Sequence, residues 1–149
     1  KLNIGNYLVE IGGELHGKGR NAQGNPWRIG IEQPNIVQGG ATQITIPLDN
    51  KSLATSGDYR NFHTDKQGKR LSHIINPQKM EPISHNLASI SVVADTAMTA
   101  DGLSTGLFVL GEEKALALAE QQGLAVFLII RTRDGYRTEM SSKFKQLIR

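Results

Sequence analysis

The hydrophobic pattern before residue 95 predicts a series of short β-strands. Apolar and polar residues alternate at residues 7–11, 27–31 and 43–48, and further strands are predicted at residues 16–20, 71–75 and 88–94. A period of two places one face of each strand against a core. Residues 53–62 are less regular, and Ser56-Gly57 within them favours two short strand pieces around a bend.

Turn-forming residues separate these runs. Glycine, asparagine and proline supply the backbone conformations that tight turns need. They predict turns at Gly12-Gly13 and at residues 21–26, 49–51 and 64–69, and loops at residues 34–40 and 78–85. Strands joined in this way are expected to pair mostly in antiparallel fashion.

A helical pattern begins at residue 96. Asp95 or Thr96 can cap a helix over residues 96–110, and Gly111 can end it. The apolar stripe of this helix is predicted to consist of Met98, Leu103, Leu107 and Leu110.

The remaining residues predict two more helices and a hairpin. A second helix covers residues 112–122, and strands at 124–132 and 136–140 flank Asp134-Gly135. Ser141 can cap a last short helix that ends at Ile148. Mostly antiparallel strands with two or three helices in the C-terminal half indicate an α+β fold. We expect residues 1–149 to form a single domain.

Composition excludes several classes of function. The 149 residues include no cysteine, which excludes disulfides, thiolate catalysis and cysteine-ligated zinc. The net charge of +3 is spread along the chain. Because basic residues do not cluster with aromatic ones, we expect no nucleic-acid partner. No apolar run approaches the ~20 residues of a membrane span.

Asp101 and Thr105 are the strongest candidates for a metal site. Their spacing of four places a carboxylate and a hydroxyl on one face of the predicted helix. Both offer the hard oxygen that Mg²⁺ prefers, and two protein ligands leave room for waters and phosphate oxygens. Gly102 and Gly106 would let a ligand approach closely. The alternative is a solvated aspartate beside a threonine that bonds back to its own helix.

Three further segments could contact a ligand, although each also has a purely structural interpretation. Residues 56–59 (SGDY) combine a hydroxyl, a flexible glycine and an aromatic ring, or form an ordinary bend. Residues 73–77 (HIINP) place His73 in a strand that ends at a polar turn, as a phosphate partner or a structural histidine. Residues 12–14 (GGE) form a tight turn or bring backbone to a phosphate or ring. His16, His63 and His85 are interpreted as surface residues.

Taken in order, these segments resemble the FAD:protein FMN transferase family, also called the ApbE family. Residues 9–15 (VEIGGEL), 56–59 (SGDY), 73–77 (HIINP) and 89–111 (SISVVADTAMTADGLSTGLFVLG) are similar to its successive motifs. The chain departs from the family pattern in two places. Residues 78–80 replace a Thr-Gly pair, and Ser104 stands where some members carry an acidic residue.

The resemblance implies an enzyme that uses Mg²⁺ and FAD. Asp101 and Thr105 would hold Mg²⁺ on the FAD pyrophosphate, and Ser104 would be a weaker, water-mediated neighbour of the metal. His73 would act at the phosphate or nucleotide as the candidate catalytic residue. Ser56 and Ile75 would line the nucleotide site. A threonine hydroxyl of a target protein would receive FMN, and AMP would leave.

The resemblance leaves alternatives open for the activity and implies partners and a location. Some relatives instead hydrolyse FAD to FMN and AMP, and a non-catalytic FAD-binding protein is the third hypothesis. The implied targets are subunits of Na⁺-pumping NADH:quinone reductase or of Rnf complexes. The implied location is the periplasm, as a lipoprotein anchored at the inner membrane through a segment outside this chain. We also expect family residues upstream of Lys1, so that this chain holds only part of the site and has little activity alone.

Overall fold

The computed structural model describes residues 3–34, 41–59, 62–64 and 70–148. Its elements, in chain order, are β1 (Tyr7–Ile11), β2 (Glu14–Lys18), β3 (Trp27–Glu32), β4 (Thr42–Leu48), β5 (Lys51–Gly57), β6 (Phe62–Thr64), β7 (Arg70–Ser72), β8 (Ile75–Asn76), β9 (Glu81–Pro82), β10 (Leu87–Ala94), α1 (Ala97–Leu110), α2 (Glu112–Gln122), β11 (Ala125–Thr132), β12 (Gly135–Met140) and α3 (Ser142–Leu147). The predicted α+β class is confirmed.

One antiparallel sheet organises the fold. Among the described strands, six join in the order β1-β2-β5-β10-β11-β12. β10 pairs with β5 on one side and with β11 on the other. Both faces of β10 are covered, and for this reason its residues from Leu87 to Val93 are all buried. β10 and its neighbour β11 therefore show no alternation of exposed and buried positions.

Each face of the sheet packs against a different layer. On one face, α1 and α2 cover a cluster that includes Ile90, Val92 and Phe108. On the other face, the β3–β4 hairpin and α3 cover Leu53, Phe127 and neighbouring residues. The ring of Phe127 stacks on Phe144 of α3, with ring centroids 5.4 Å apart.

Helix α1 begins as predicted but faces the sheet differently. Thr96 caps it, because its hydroxyl accepts a hydrogen bond of 3.1 Å from the backbone N–H of Thr99. Two members of the predicted stripe, Met98 and Leu110, are 83% and 42% exposed, so the stripe is partly wrong. The buried residues are Ala100, Ser104, Leu107 and Phe108. Small residues at 100 and 104 let the first turns lie close to the sheet, which a search for large apolar residues overlooks.

One strand prediction is confirmed and one needs correction. β5 runs from Lys51 to Gly57, a bend follows at Asp58 and Tyr59, and β6 begins at Phe62, so the described part of residues 53–62 forms two strand pieces around a bend. His73 does not lie in a strand, because β7 ends at Ser72 and a bend follows. At this bend the Ser72 hydroxyl accepts a hydrogen bond of 3.2 Å from the N–H of Ile74. This local side-chain bond takes the place of strand pairing.

The hairpin and helix predicted near the C-terminus are confirmed. β11 and β12 pair across the turn before Gly135, and Ser141 caps α3 by accepting a hydrogen bond from the N–H of Phe144. The predicted loop at 34–40 and turn at 64–69 fall mostly on residues outside the described ranges.

No helix in the part of the chain that the structure describes is long and apolar enough to cross a lipid bilayer.

Substitution of Gly57 by alanine is expected to destabilise the fold. A Cβ at this position would lie 2.8 Å from the carbonyl oxygen of Ala88 and 2.9 Å from the ring of Tyr59. Because a backbone atom must move, we expect Gly57→Ala to lower the free energy of unfolding by about 1–3 kcal/mol in urea denaturation. Gly5→Ala is the control: no atom lies within 4 Å of its added methyl group, and the change should stay below about 0.5 kcal/mol.

Candidate functional site

Asp101 and Thr105 lie on the solvent side of α1. Both residues are exposed, whereas Ser104 between them is fully buried against the sheet. The spacing of four keeps the carboxylate and the hydroxyl on one face, one helical turn apart. The structure therefore presents this predicted pair to solvent, where a ligand can reach it.

Ser56 joins the same site from the neighbouring strand. Its hydroxyl oxygen lies 3.0 Å from Thr105 Oγ1 and 2.7 Å from Ser104 Oγ. Along β5, Thr55 points to the opposite face, where its hydroxyl bonds that of Ser91 at 2.7 Å. Two motifs that are 49 residues apart in sequence thus meet at a hydroxyl–hydroxyl contact.

Ser104 has a different environment from the one expected. It is 0% exposed, and its hydroxyl donates a hydrogen bond of 2.9 Å to the backbone carbonyl of Asp101. The expectation of a water-mediated neighbour of a metal is not supported by this position, because the side chain faces the sheet. From its buried position, Ser104 bonds Ser56, which in turn contacts Thr105.

The outer face of α1 is open next to the candidate ligands. A methyl group built on Gly102 or Gly106 would meet no atom within 4 Å. Gly102 and Gly106 therefore leave open space beside the exposed Asp101 and Thr105, as the sequence predicted, and Met98, one turn earlier, is 83% exposed.

The side chain of Ile74 anchors residues 73–77 to the core. Ile74 is partly buried and packs against the cluster that contains Leu107 and Phe108 of α1. His73 and Ile75 flank it and are exposed, Ile75 by 49%. Ile74 therefore holds His73 and Ile75 beside the core that α1 also covers.

A polar turn fixes the far end of this segment. The side-chain oxygen of Asn76 accepts hydrogen bonds of 2.9 and 3.2 Å from the N–H groups of Gln78 and Lys79. The turn therefore forms although residues 78–80 depart from the family pattern.

An ion pair that sequence reasoning missed holds the SGDY segment. Asp58 is 8% exposed and pairs with Arg131 of β11. Arg131 also donates a hydrogen bond of 3.2 Å to the carbonyl of Leu87. The only indication in the sequence is an arginine at the end of a long apolar run, which does not identify its partner.

Asp95 is a second exposed carboxylate near α1, but it is engaged by a cation. It forms an ion pair with Lys51, and this hydrogen bond and the positive charge hold the pKa of Asp95 below its usual range. The pair's small contribution to stability is present above the unfolded pKa and is lost as the pH falls through the folded pKa. At neutral pH the carboxylate of Asp95 is therefore ionised and already has a counterion.

Two histidines interpreted as surface residues have structural contacts. The Nε2 of His85 lies 2.7 Å from the carbonyl oxygen of Phe108, to which it donates. Its ring meets that of Phe108 edge-on at 5.2 Å. His16 bonds the hydroxyl of Ser52 at 2.7 Å. The surface interpretation was therefore wrong for these two, and the side chain of His63 is outside the description.

A cavity of about 440 Å³ lies on the opposite face of the sheet, under the β1–β2 turn. Gly12 and Gly13 form this turn with φ values of 68° and 106°, which glycine adopts at little cost. The tight-turn interpretation is confirmed. Thr55 lines this cavity, and its neighbour Ser56 belongs to the α1 site.

These features define an α+β protein with an oxygen-rich, solvent-open site on one helix of an antiparallel sheet. Over the described ranges, no group of three or more His, Cys, Asp or Glu side chains converges in an arrangement that could hold a metal. The chain belongs to the ApbE family, whose family model matches residues 1–128. The resemblance inferred from the four motifs is therefore confirmed.

Individual relatives agree with this assignment. The chain is 55% identical over 147 residues to a protein of Haemophilus influenzae named FAD:protein FMN transferase, covering 99% of this chain and 42% of that protein. The flavinyl transferase ApbE of Pseudomonas stutzeri superposes with a TM-score of 0.85 at 45% identity, covering 99% of this chain and 45% of that one.

A second solved structure gives the same result. The flavin transferase ApbE of Vibrio cholerae matches with a TM-score of 0.81 at 43% identity, covering 96% of this chain and 44% of that one. The chain thus spans less than half the length of the relatives it matches.

Removal of the Arg131 guanidinium should destabilise the SGDY segment. Arg131→Met leaves the carboxylate of Asp58 without this counterion, and the two side chains are only 24% and 11% exposed. We expect a loss of about 3 kcal/mol in the free energy of unfolding, measured by urea denaturation.

The control is Arg137→Met on the adjacent strand. Arg137 pairs with Glu139, and both side chains are more exposed, by 49% and 35%. A loss below about 1 kcal/mol is expected there. Equal losses in the two variants would contradict a structural role for the Asp58–Arg131 pair.

Proposed function

We propose that the whole protein containing this chain transfers FMN from FAD to a threonine hydroxyl of a target protein, releases AMP and requires Mg²⁺. The observation that carries the proposal is the contact between Ser56 and Thr105, which unites two family motifs one turn from Asp101. The names of the relatives support transfer of FMN from FAD to a protein.

The donor set fits magnesium. Asp101 and Thr105 offer one carboxylate and one hydroxyl oxygen, both exposed, and Gly102 and Gly106 leave space in front of them. Mg²⁺ usually keeps several waters and takes one or two protein ligands together with phosphate oxygens. A site with two protein oxygens is therefore suited to an ion bound mainly by a pyrophosphate.

The reaction is a phosphoryl transfer. The target's threonine oxygen bonds to the FMN phosphorus, the bond from that phosphorus to the oxygen bridging to AMP breaks, and the hydroxyl proton is released. The products are a phosphoester of FMN and free AMP. When bound, Mg²⁺ supplies neutralisation of the charge that develops on the phosphates. Because little covalent chemistry falls to the protein, its side chains act mainly by positioning.

Each candidate residue has a role in that positioning. Asp101 and Thr105 would hold the cation and, through it, the pyrophosphate. Ser56 contacts the nucleotide or supports Thr105 from the strand. His73 acts at the phosphate, and Ile75 offers an exposed apolar side chain to the flavin nucleotide.

Hydrolysis of FAD to FMN and AMP is the alternative outcome of the same site, with water in place of the threonine hydroxyl. Chromatography of FAD, FMN and AMP, with and without a threonine-containing target peptide, separates the two reactions. FMN bound covalently to the peptide indicates transfer, free FMN indicates hydrolysis, and unchanged FAD indicates a non-catalytic binder.

On the resemblance of the motifs alone, we propose the partners and the location as well. The targets are subunits of Na⁺-pumping NADH:quinone reductase or Rnf complexes, and the location is the periplasmic side of the inner membrane through a lipoprotein anchor. Fractionation of cells that express the whole protein, with detection of covalent FMN in those subunits, tests both.

Loss of the Asp101 carboxylate should remove the dependence on Mg²⁺. Asp101→Asn, made in the whole protein, is expected to lower the transfer rate by about 100-fold or more, because a bound metal supplies several kcal/mol of charge stabilisation. The measurement is the rate of covalent FMN incorporation as a function of Mg²⁺ concentration.

Asp95→Asn is the matched control. It removes an exposed carboxylate that is paired with Lys51 and lies just before α1. Its rate should stay within about twofold of the wild type, since exposed ion pairs contribute little. An unchanged rate in Asp101→Asn would contradict the metal assignment.

His73 is expected to affect the chemical step. His73→Gln should lower kcat/KM for FAD by about 100-fold, a typical effect of removing a side chain that acts at a reacting phosphate. His16→Gln is the control, since the ring of His16 bonds the hydroxyl of Ser52 and lies beside the ring of Tyr7, outside the four family motifs. A change confined to KM would assign His73 to nucleotide binding, and no change in either constant would exclude it from the site.

A further inference from the structure

Three hydroxyl groups form a continuous chain beneath the candidate metal ligands. Thr105 Oγ1 lies 3.0 Å from Ser56 Oγ, and Ser56 Oγ lies 2.7 Å from Ser104 Oγ. Ser104 Oγ lies 2.9 Å from the backbone carbonyl oxygen of Asp101. Thr105 is exposed at one end of the chain, and Ser104 is completely buried at the other.

The chemistry of the groups fixes the direction of each hydrogen bond. A carbonyl oxygen can only accept, and each hydroxyl has a single proton to donate. The proton of Ser104 therefore goes to the carbonyl of Asp101. Ser104 must then accept from Ser56, and Ser56, whose proton is used, must accept from Thr105.

We propose that Ser104 is a positioning residue that sets the hydroxyl of Thr105 as a metal-binding acceptor. This inference rests on the metal site of the proposed function and deepens it. With its proton directed down to Ser56, Thr105 Oγ1 keeps its lone pairs for the solvent side, where Asp101 also lies. A cation can then bind without displacing a donor from that oxygen.

Ser104 also removes a competing arrangement. A helical threonine commonly bonds back to the carbonyl four residues earlier, which for Thr105 is that of Asp101. Ser104 already donates to this carbonyl oxygen. The buried serine thus favours one orientation of the Thr105 hydroxyl, although it does not touch the ion itself.

The test is a mutant cycle on metal affinity in the whole protein. The probe is Mn²⁺, followed by the electron paramagnetic resonance of the free ion, with ADP present to supply a pyrophosphate. In Ser104→Ala, the proton of Ser56 loses its acceptor and turns to Thr105 Oγ1. Mn²⁺ affinity is expected to fall about five- to tenfold, the factor that corresponds to roughly one hydrogen bond.

The double variant distinguishes proton order from simple damage. In Ser56→Ala/Ser104→Ala no donor remains beneath Thr105, so the Mn²⁺ affinity should be higher than that of Ser104→Ala alone. Ser91→Ala is the matched control, because it removes an equally buried hydroxyl with a 2.7 Å partner on the opposite face of the sheet. It should leave Mn²⁺ affinity unchanged. Thermal unfolding of every variant confirms that the fold is retained.

The results separate the proposed metal site at Asp101 and Thr105 from the proposed positioning role of Ser104. Wild-type binding that is lost in Asp101→Asn but unchanged in Ser104→Ala would overturn the role of Ser104 and retain the metal site. A double variant as weak as Ser104→Ala, or weaker, would show that Ser104 acts only through packing. No binding by the wild type would overturn the metal site and the hydroxyl chain together.

Discussion

The close packing of α1 against the central strands is the contact on which the rest of the site depends. Ala100 and Ser104 are fully buried, and their small side chains bring the helix backbone near β5 and β10. Once these residues face the sheet, the helical period forces Asp101 and Thr105 outward. The same closeness brings Ser56 of β5 within hydrogen-bonding distance of the helix. Stability and site geometry therefore come from one interface.

Much of the fold could be predicted from local sequence. The β1–β2 turn, the Thr96 and Ser141 caps, the two glycine-terminated helices and the β11–β12 hairpin all depend on residues close in sequence. The prediction of which residues of α1 are buried was partly wrong, because packing against a sheet selects small residues as well as large ones. The prediction that His73 lies in a strand was wrong because the strand ends at Ser72, whose hydroxyl bonds the N–H of Ile74 and so competes with strand pairing.

The site divides in the same way. Spacing alone predicted that Asp101 and Thr105 would share one face of the helix, because that follows from helix geometry. Their contact with Ser56 and the pairing of Asp58 with Arg131 join elements far apart in the chain. Single-sequence patterns carry no information on such pairs, and only the order of the motifs connected them.

The alternation of Thr55 and Ser56 on β5 has a consequence for how this family can change. Thr55 faces the cavity under the β1–β2 turn, and Ser56 faces α1. Loss or gain of a single residue before them would exchange their faces, so that two sites on opposite sides of the sheet would be altered at once. Insertions and deletions should therefore be tolerated in the surrounding turns but excluded from β5. Evolution can vary each of its side chains, whereas the length of this strand is a shared constraint.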